Sequence, residues 1–290
     1  MIHATAPLRI SFSGGGTDHP SYYSKHGGAV LSVAIKKYAH CVISTLRSAT
    51  DGHVETMMRY WTDLPPGSGL GGSSAVAVAV IAAEDRRHGI ERGRIEVGKV
   101  AERLERGHLG MAGGSQDYWP AALGGCNLWK FNDEINNPMV SPVTSDVYQP
   151  LAKWLMLCPT GQKVAKVAPT VSSPETTKSL KTMTALTHSM HDMLLKGEFK
   201  LFGYMLLEAW KLKKQSSPGC STVKADLLLN SAIIAGAVGG KLCGSGGGGY
   251  LLLCADPSKH DAIRDALGID GQRCEPVEFD EEGLKVEGTL

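Results

Sequence analysis

The stretch Pro65-Pro66-Gly67-Ser68-Gly69-Leu70-Gly71-Gly72-Ser73-Ser74-Ala75 decides the fold, because it places small residues directly ahead of a predicted helix. Residues 73–87 are rich in Ala and Val and too long for a buried strand, and Ser73 or Ser74 is available to cap the first turn. Free backbone N–H groups and the helix dipole attract anions at such a terminus, and glycine lets the backbone approach phosphate oxygens. The stretch therefore predicts a phosphate-binding loop, with a serine hydroxyl near phosphate or Mg²⁺.

Two other phosphate-binding motifs match by spacing, and neither fits its surroundings. Gly67, Gly69 and Gly72 satisfy the GxGxxG pattern of dinucleotide-binding folds, but two prolines interrupt the strand that must lead into such a turn. Residues 93–99 satisfy GxxxxGK, but Val100 stands where a Walker motif needs Ser or Thr, and the segment has the spacing of an amphipathic helix. The remaining alternative for the stretch is a mobile turn between domains.

The composition favours a protein that acts on a small molecule. The 290 residues, 42% of them hydrophobic, suffice for one large core or two medium ones, and the length favours two domains. With 30 basic and 29 acidic residues, the chain has no electrostatic footprint for nucleic acid or an acidic membrane. We expect a small-molecule partner and neither of those two.

Cysteine usage and the N-terminus indicate a cytoplasmic protein. The seven cysteines are scattered singly, without zinc-type spacing, so reduced thiols are expected. Residues 1–4 lack the features of a signal peptide, and no window approaches the roughly 18 apolar residues of a membrane span.

Strands are predicted before the phosphate loop and helices after it. Residues 29–46 and 54–61 are rich in Val, Ile, Tyr and Thr and are expected to pair. Residues 95–104 continue at helical spacing, and Gly107 supplies a stop signal.

The second half of the chain predicts a separate α+β unit. Residues 132–150 carry three prolines and little periodicity, so we interpret them as a connector. Beyond it, helices are expected over residues 180–193, 199–210 and 221–238, followed by a strand over 250–254. The expected domains are residues 1–150 and 151–290.

Two further glycine-rich segments accompany the phosphate loop. Residues 9–18, Arg-Ile-Ser-Phe-Ser-Gly-Gly-Gly-Thr-Asp, end a strand in a turn that carries one cation and one carboxylate. Residues 241–249 hold a run of glycines between a helix and an apolar strand, as a binding loop requires. Taken singly, either segment could equally be a hairpin or a flexible turn.

In this order and at these separations, the three segments resemble the signature set of the GHMP kinases, the superfamily of galactokinase and of homoserine, mevalonate and phosphomevalonate kinases. Residues 65–75 resemble its ATP phosphate loop, with Gly72 as an added residue before the serines. Residues 7–18 resemble the sugar-binding signature of the galactokinase-like members, and the Gly14-Gly15-Gly16 triplet is similar to the heptose-phosphate and fucose branches. Two more segments resemble these branches, Gly113-Gly114-Ser115-Gln116-Asp117 and Thr160-Gly161-Gln162-Lys163-Val164-Ala165.

This resemblance implies an α+β fold of two domains, namely an N-terminal mixed α/β domain with the ATP phosphate loop and a C-terminal ferredoxin-like α+β domain. It also implies ATP and Mg²⁺ as cofactors. The residues implied for ATP are Pro66, Gly67, Ser68, Gly69, Leu70, Gly71, Gly72, Ser73 and Ser74. The metal ligands implied are Ser74 and Glu105, and Glu102, one turn earlier, is the alternative carboxylate.

The implied chemistry is phosphoryl transfer to the anomeric C1 hydroxyl of a sugar. Asp117 matches the catalytic carboxylate that orients or deprotonates this hydroxyl, while Arg9 polarises the hydroxyl or holds Asp117 ionised. The alternative is an exposed salt bridge, worth less than about 1 kcal/mol. Substrate binding is implied for Gly14, Gly15, Gly16, Thr17, Asp18, Gly113, Gly114, Gln116, Thr160, Lys163, Gly246 and Gly247, with His19 and Tyr22 as weaker candidates.

The foremost acceptor is D-glycero-D-manno-heptose 7-phosphate, which gives the 1,7-bisphosphate. Its phosphate needs cations, for which the candidates are Lys163, Lys166 and Arg47, although each could equally be a solvated surface group. The alternatives are a fucose- or galactose-type hexose 1-kinase and, outside the enzymes, a non-catalytic sensor of sugar and ATP. A homodimer is an open option for the assembly.

Overall fold

Two antiparallel sheets and the helices packed on them form the molecule. The computed structural model describes residues 1–47, 54–109, 113–132, 138–162 and 173–289. The strands are β1 (Ile2–Ser13), β2 (Gly28–Arg47), β3 (Val54–Thr62), β4 (Cys126–Phe131), β5 (Met139–Val143), β6 (Leu155–Pro159), β7 (Gly239–Leu242), β8 (Tyr250–Cys254), β9 (Glu275–Pro276) and β10 (Lys285–Gly288). The α-helices are α1 (Pro20–His26), α2 (Gly72–Arg87), α3 (Arg94–Glu102), α4 (Tyr118–Leu123), α5 (Ser145–Tyr148), α6 (Pro174–Leu195), α7 (Phe199–Ser216), α8 (Val223–Ile234) and α9 (His260–Leu267).

The first sheet is built around the long strand β2. Its order is β10-β1-β2-β4-β5, and β3 pairs with the second half of β2 in the register Ala39 to Thr62 through Arg47 to Val54. The predicted pairing of residues 29–46 with 54–61 is confirmed. β1 runs antiparallel to residues 31–43 of β2, so its end carries the first glycine segment out of the middle of the sheet.

Strand β1 changes from half-buried to fully buried along its length. Its first four residues alternate between buried and partly buried, whereas residues 6–13 are all buried. Helices α6 and α7 pack against this second part, where Phe202 meets the Phe12 ring edge-on at 5.1 Å and Thr187 lies 2.8 Å from the Ser13 hydroxyl. Residues 9–13 therefore approach the glycine turn with both faces held by the core.

The second sheet has the topology of a ferredoxin-like unit. Along the chain, β6 is followed by helices α6 to α8, then β7, β8, α9 and β9. Across the sheet the order is β7-β8-β6-β9, so the first strand lies between the third and the fourth. This is the β-α-β-β-α-β arrangement, with three helices in the first crossover. The predicted α+β fold with a ferredoxin-like second unit is confirmed.

The two sheets share one hydrophobic core. A single cluster of buried residues runs from strands β1 and β2 through α2 to β6, α6, α7 and β8. The last strand, β10, returns to the first sheet, where it pairs with β1. The division into residues 1–150 and 151–290 stays a prediction, and β10 crosses it.

Several predicted elements have different bounds in the structure. The third helix of the second half is shorter than residues 221–238, because α8 ends at Ile234 and β7 begins at Gly239. Residues 132–150 are not only a connector, since β5 extends the first sheet there. The helix of residues 95–104 does not stop at Gly107, because α3 passes into a π-helical turn, Arg103–His108, that contains this glycine.

The prediction that all cysteines are reduced is wrong for one pair. The sulfurs of Cys158 and Cys274, which are 116 residues apart in sequence, form a disulfide. It joins the end of β6 to the residue directly before β9. Sequence spacing gave no sign of this pair because the two cysteines meet only through the pairing of β6 with β9. No helix in the described part of the chain is long and apolar enough to cross a membrane.

Candidate active site

The three glycine-rich segments meet at the ends of β1, α2 and β8. The backbone N–H of Arg9 donates to Leu70 in the phosphate loop at 3.0 Å, and the N–H of Tyr250 donates to Ser68 at 3.2 Å. A Cβ on Gly69 would lie 2.5 Å from the carbonyl oxygen of Cys243, so only glycine allows this approach. The phosphate loop is thus held between β1 and the third glycine segment.

The phosphate loop presents unoccupied backbone donors at the start of α2. Gly67, Gly69 and Gly71 all have positive φ, which turns the chain sharply before the helix begins at Gly72. The prediction that Ser73 or Ser74 caps this helix is wrong. The capping position is Gly71, and no side chain accepts a hydrogen bond there. The first N–H groups of a 16-residue helix are therefore available to an anion.

Both serines of the loop bind the same carboxylate. Ser73 donates to one oxygen of Glu105 at 2.5 Å, and Ser74 donates to the other at 3.0 Å. Glu105 is buried within the π-helical turn, a geometry that occurs mostly at functional sites. Glu102, the alternative carboxylate, instead pairs with Arg106 at 2.8 Å. The structure thus places Glu105, and not Glu102, beside the phosphate loop.

Arg9 joins the phosphate loop to Asp117. Its guanidinium lies 2.7 Å and 2.9 Å from one oxygen of Asp117 through two nitrogens, and its third nitrogen donates to the Gly69 carbonyl at 2.9 Å. The Asp117 side chain is 27% exposed, whereas that of Arg9 is 4% exposed. Burial, together with the neighbouring carboxylates of Asp18 and Glu105, raises the pKa of Asp117, and Arg9 opposes this shift. The exposed surface pair weighed above as an alternative does not describe this geometry.

Asp18 is buried and held by two backbone donors. The N–H of Gly16 binds one of its oxygens at 2.9 Å, and the N–H of Gln116 binds the other at 3.1 Å. A Cβ on Gly114 would lie 1.7 Å from that second oxygen, so the two segments touch through a glycine. The Gly113–Asp117 segment and the first glycine turn therefore form one wall of the site.

The other residues predicted to bind the substrate lie at several places around the site. The Thr17 hydroxyl lies within 2.9 Å of the carbonyls of Gly14 and Ala29 and so closes the first glycine turn. The side-chain oxygen of Gln116 is buried and has no hydrogen-bond partner among the described residues. Thr160 binds the Gly249 carbonyl, and Gly247 donates to Cys220, which places Gly246 and Gly247 on the far side of the third glycine segment. Gly15 faces Gln116, and Gly113 is exposed. Lys163 and Lys166 lie outside the described residues, as does the side chain of Arg47.

Comparison with known proteins shows what this chain is similar to. The GHMP kinases N terminal domain matches residues 37–125. The D-glycero-alpha-D-manno-heptose 7-phosphate kinase of Campylobacter jejuni is 27% identical over 98% of both chains. The crystal structure of a D-glycero-D-manno-heptose 1-phosphate kinase from Bacteroides thetaiotaomicron has the same fold, with a TM-score of 0.79 over 100% of both chains at 22% identity. The chain is thus similar to a heptose 7-phosphate kinase over nearly its whole length, and residues 37–125 match the GHMP kinase N-terminal domain.

A kinase named for a different acceptor is also similar to this chain. The mevalonate kinase of Thermococcus gammatolerans is 27% identical over 98% of this chain and 83% of its own length. Overall identity therefore does not distinguish a heptose phosphate from mevalonate as the acceptor. The side chains at the acceptor site must make this distinction.

Sequence reasoning missed three side chains of this site. The Tyr118 hydroxyl binds Ser74 and Glu105, and burial raises its pKa. Lys241 donates to the Ser11 carbonyl at 2.8 Å, and burial lowers its pKa to about 8. Lys213 of α7 is buried close to Asp18. The signal for Lys213 was its place on the apolar stripe of α7, where a charged residue interrupts the pattern.

The oxygen ligands beside the phosphate loop suit a magnesium ion. Ser74 and Glu105 supply one hydroxyl and one carboxylate, the hard donors that Mg²⁺ binds together with water and phosphate oxygens. No group of three or more His, Cys, Asp or Glu side chains suited to a metal occurs in the described ranges. A complete protein cage is thus absent there, and an ion in this position would need phosphate oxygens as further ligands.

Proposed function

We propose that this protein is an ATP-dependent kinase that phosphorylates the C1 hydroxyl of D-glycero-D-manno-heptose 7-phosphate to give the 1,7-bisphosphate. The observation that carries the proposal is the contact of Arg9 with both the phosphate loop and Asp117. This contact sets a buried cation between a nucleotide-phosphate site and a carboxylate of raised pKa. Phosphoryl transfer requires these parts side by side.

The nucleotide phosphates would bind at the N-terminus of α2. Residues 66–74 supply backbone N–H groups and the helix dipole, while Ser74 and Glu105 would hold Mg²⁺. Bound there, the ion would neutralise charge on the phosphate oxygens. ATP and Mg²⁺ thus belong to the proposal as cofactors.

Asp117 would act on the acceptor hydroxyl. Its carboxylate is partly exposed toward the site, and Arg9 fixes one of its oxygens, which leaves the other to accept the C1 hydroxyl proton. Arg9, which also binds Gly69, would stabilise the charge that develops between the acceptor and the phosphate loop. Asp18 and Gln116, on the wall beside Asp117, would bind the other sugar hydroxyls.

Support for a heptose phosphate comes from the relatives. The Campylobacter jejuni protein that spans this chain end to end is named as a heptose 7-phosphate kinase, whereas the mevalonate kinase match leaves part of that protein uncovered. The first glycine segment, with Asp18 buried at its end, suits an acceptor that carries several hydroxyls. A hexose 1-kinase of the fucose or galactose type is the second candidate, favoured by the same segment.

A panel of acceptors with ATP and Mg²⁺ tests the proposal. We expect ADP release with heptose 7-phosphate at a kcat/KM well above that with sedoheptulose 7-phosphate, fucose, galactose, mannose or mevalonate. The product should be the 1,7-bisphosphate by NMR. A higher kcat/KM for a free hexose would favour the second candidate. Binding of ATP and sugar with no ADP above background would leave a non-catalytic sensor. We also propose that the protein is located in the cytoplasm.

A further inference from the structure

Lys213 is a buried lysine whose ammonium group has no partner in the part of the chain that the structure describes. It lies in the last turns of α7, and only 8% of the residue is exposed. Among the described residues its ammonium group has no hydrogen bond or ion pair, although its backbone carbonyl accepts bonds from Ser217 and Ser216. A buried ammonium that lacks a partner is costly, so such a group is usually paired or binds an anion.

The neighbouring lysines of the same helix behave differently. Lys211 is 54% exposed and pairs with Glu208 at 2.6 Å, while Lys214 pairs with Asp226 at 3.2 Å. Both are ordinary surface ion pairs, which contribute little to stability. Lys213 alone of the three lies on the buried stripe that begins with Phe202.

The buried stripe directs Lys213 toward the acceptor site. Phe202 packs on Phe12 of β1, and Lys213 lies three helical turns further along the same face. The segment after α7 contacts the third glycine segment, where the Gly247 N–H donates to the Cys220 carbonyl at 2.7 Å. Burial lowers the pKa of Lys213, and the negative charges of Cys220 and Asp18 oppose this shift.

Arg106 of the π-helical turn lies near the same part of the site. Its guanidinium donates to the Ser115 hydroxyl at 2.5 Å and pairs with Glu102, and the side chain is partly exposed. Ser115 follows Gly114, which touches Asp18. Burial lowers the pKa of the His19 imidazole, the Asp18 carboxylate opposes this shift, and the charges of Lys213 and Arg106 add to it. Arg106 is linked to Asp18 through Ser115, whose N–H donates to the Asp18 carbonyl at 3.1 Å.

We propose that Lys213, assisted by Arg106, binds the phosphate group of the acceptor sugar and so selects a phosphorylated over an unphosphorylated sugar. This inference rests on the proposed function, because it assigns the substrate's existing phosphate to a named side chain. A phosphate dianion is the partner that a buried ammonium lacks, and the guanidinium adds charge-assisted hydrogen bonds. The position lies at Asp18, away from the loop that would hold the ATP phosphates.

The test compares Lys213→Met with wild type on D-glycero-D-manno-heptose 7-phosphate and on the same heptose without phosphate. Met keeps the length and apolar character of the side chain, so the buried face of α7 stays filled. We expect kcat/KM for the phosphorylated sugar to fall roughly 10- to 100-fold, mainly through KM, as for the loss of a hydrogen bond to a charged group. The KM for ATP and the activity on the unphosphorylated heptose should change less than about threefold.

Lys211→Met is the matched control, since it removes an exposed lysine from the same helix. It should leave both sugars unaffected. Arg106→Gln is a second variant, with an expected loss in the same direction, and it replaces Lys213→Met if that protein does not fold.

The possible results separate the two proposals. If wild type phosphorylates no sugar phosphate, the proposed function fails. If wild type prefers the phosphorylated heptose and Lys213→Met keeps the same preference, this inference is overturned while the proposed function stands. An equal loss on both sugars would assign Lys213 to packing and would also overturn it. If only Arg106→Gln folds, an unchanged preference of this variant for the phosphorylated heptose would also overturn the inference.

Discussion

At the scale of single residues, the site depends on a cation that is shared between two groups. Arg9 uses all of its guanidinium nitrogens, two on Asp117 and one on Gly69. Lysine could not reproduce this geometry, because a planar fork with several donors is needed. The position of Asp117 is therefore set by β1, whose residues 6–13 are all buried.

Asp117→Asn tests the role of the carboxylate. The amide keeps the size of the side chain but cannot accept the hydroxyl proton, so we expect kcat to fall about 10²- to 10⁴-fold while ATP still binds. ADP release and nucleotide titration measure the two effects. Asp192→Asn, on the exposed side of α6, is the control and should keep full activity. Retained turnover in Asp117→Asn would remove this residue from the base role.

The raised pKa of Asp117 sets the direction of the pH dependence. The group acts in its ionised form, and its pKa lies above the ordinary value of 3.8. Log kcat/KM should therefore decline as the pH falls through this raised pKa, with a slope of one proton. Steady-state rates between about pH 4 and about pH 8 measure the profile, with circular dichroism at each pH as the control for unfolding. A flat profile down to the ordinary range would contradict the assignment.

The residues of this site differ in how well sequence alone could place them. Arg9, Asp18 and Asp117 belong to short motifs with fixed spacing, so a resemblance transfers them directly. Lys213 and Arg106 lie in ordinary helical sequence, where a lone basic residue usually indicates a solvated surface. Their positions depend on how α7 and the π-helical turn pack, which local patterns do not encode.

At the scale of elements, one glycine contact sets the position of Asp18. Gly114→Ala would drive a methyl group into the Asp18 carboxylate, since the added Cβ would lie 1.7 Å from Oδ2. We expect a rise in acceptor KM of at least about tenfold, with a smaller change in ATP KM, because overpacking of a filled site costs about 1 to 3 kcal/mol. Kinetics with varied acceptor and fixed ATP measure this effect.

Gly113→Ala is the natural control for this experiment. Among the described residues, no atom lies within 4 Å of a Cβ built on Gly113, and the residue is exposed. Its kinetics should match wild type. Equal effects of the two substitutions would mean that the backbone of the segment, and not the contact with Asp18, controls the acceptor site.

The elements themselves were largely predictable, and their ends were less so. The helices α6 and α7 carry large apolar residues at regular spacing, which identified them directly. The first turn of α2 was misread because Ser73 and Ser74 resemble a cap, whereas they bind Glu105 from a segment 31 residues later. Competition between a local and a distant partner is resolved only by the fold.

At the scale of the whole molecule, a shared hydrophobic core joins residues 1–150 to residues 151–290, which the sequence predicts to be separate domains. One cluster of buried residues includes members of both sheets, a second cluster joins the second sheet to α8 and α9, and β10 ties the end of the chain to β1. We therefore expect a single cooperative thermal transition with equal calorimetric and van't Hoff enthalpies. Differential scanning calorimetry under non-reducing conditions measures this. Two separated transitions would support independent domains divided near residue 150.

The fork of Arg9 between Gly69 and Asp117 has a consequence for the order of events on the enzyme. A nucleotide that shifts the Gly69 carbonyl also shifts a hydrogen-bond partner of the side chain that meets the acceptor. Binding of the nucleotide then changes the affinity for the sugar phosphate, and thermodynamic linkage makes this effect reciprocal. A non-hydrolysable ATP analogue should change the dissociation constant of the sugar phosphate by the same factor by which the sugar phosphate changes that of the analogue. Calorimetric titration in both orders would close this cycle, and Arg9→Lys should bring the factor toward one.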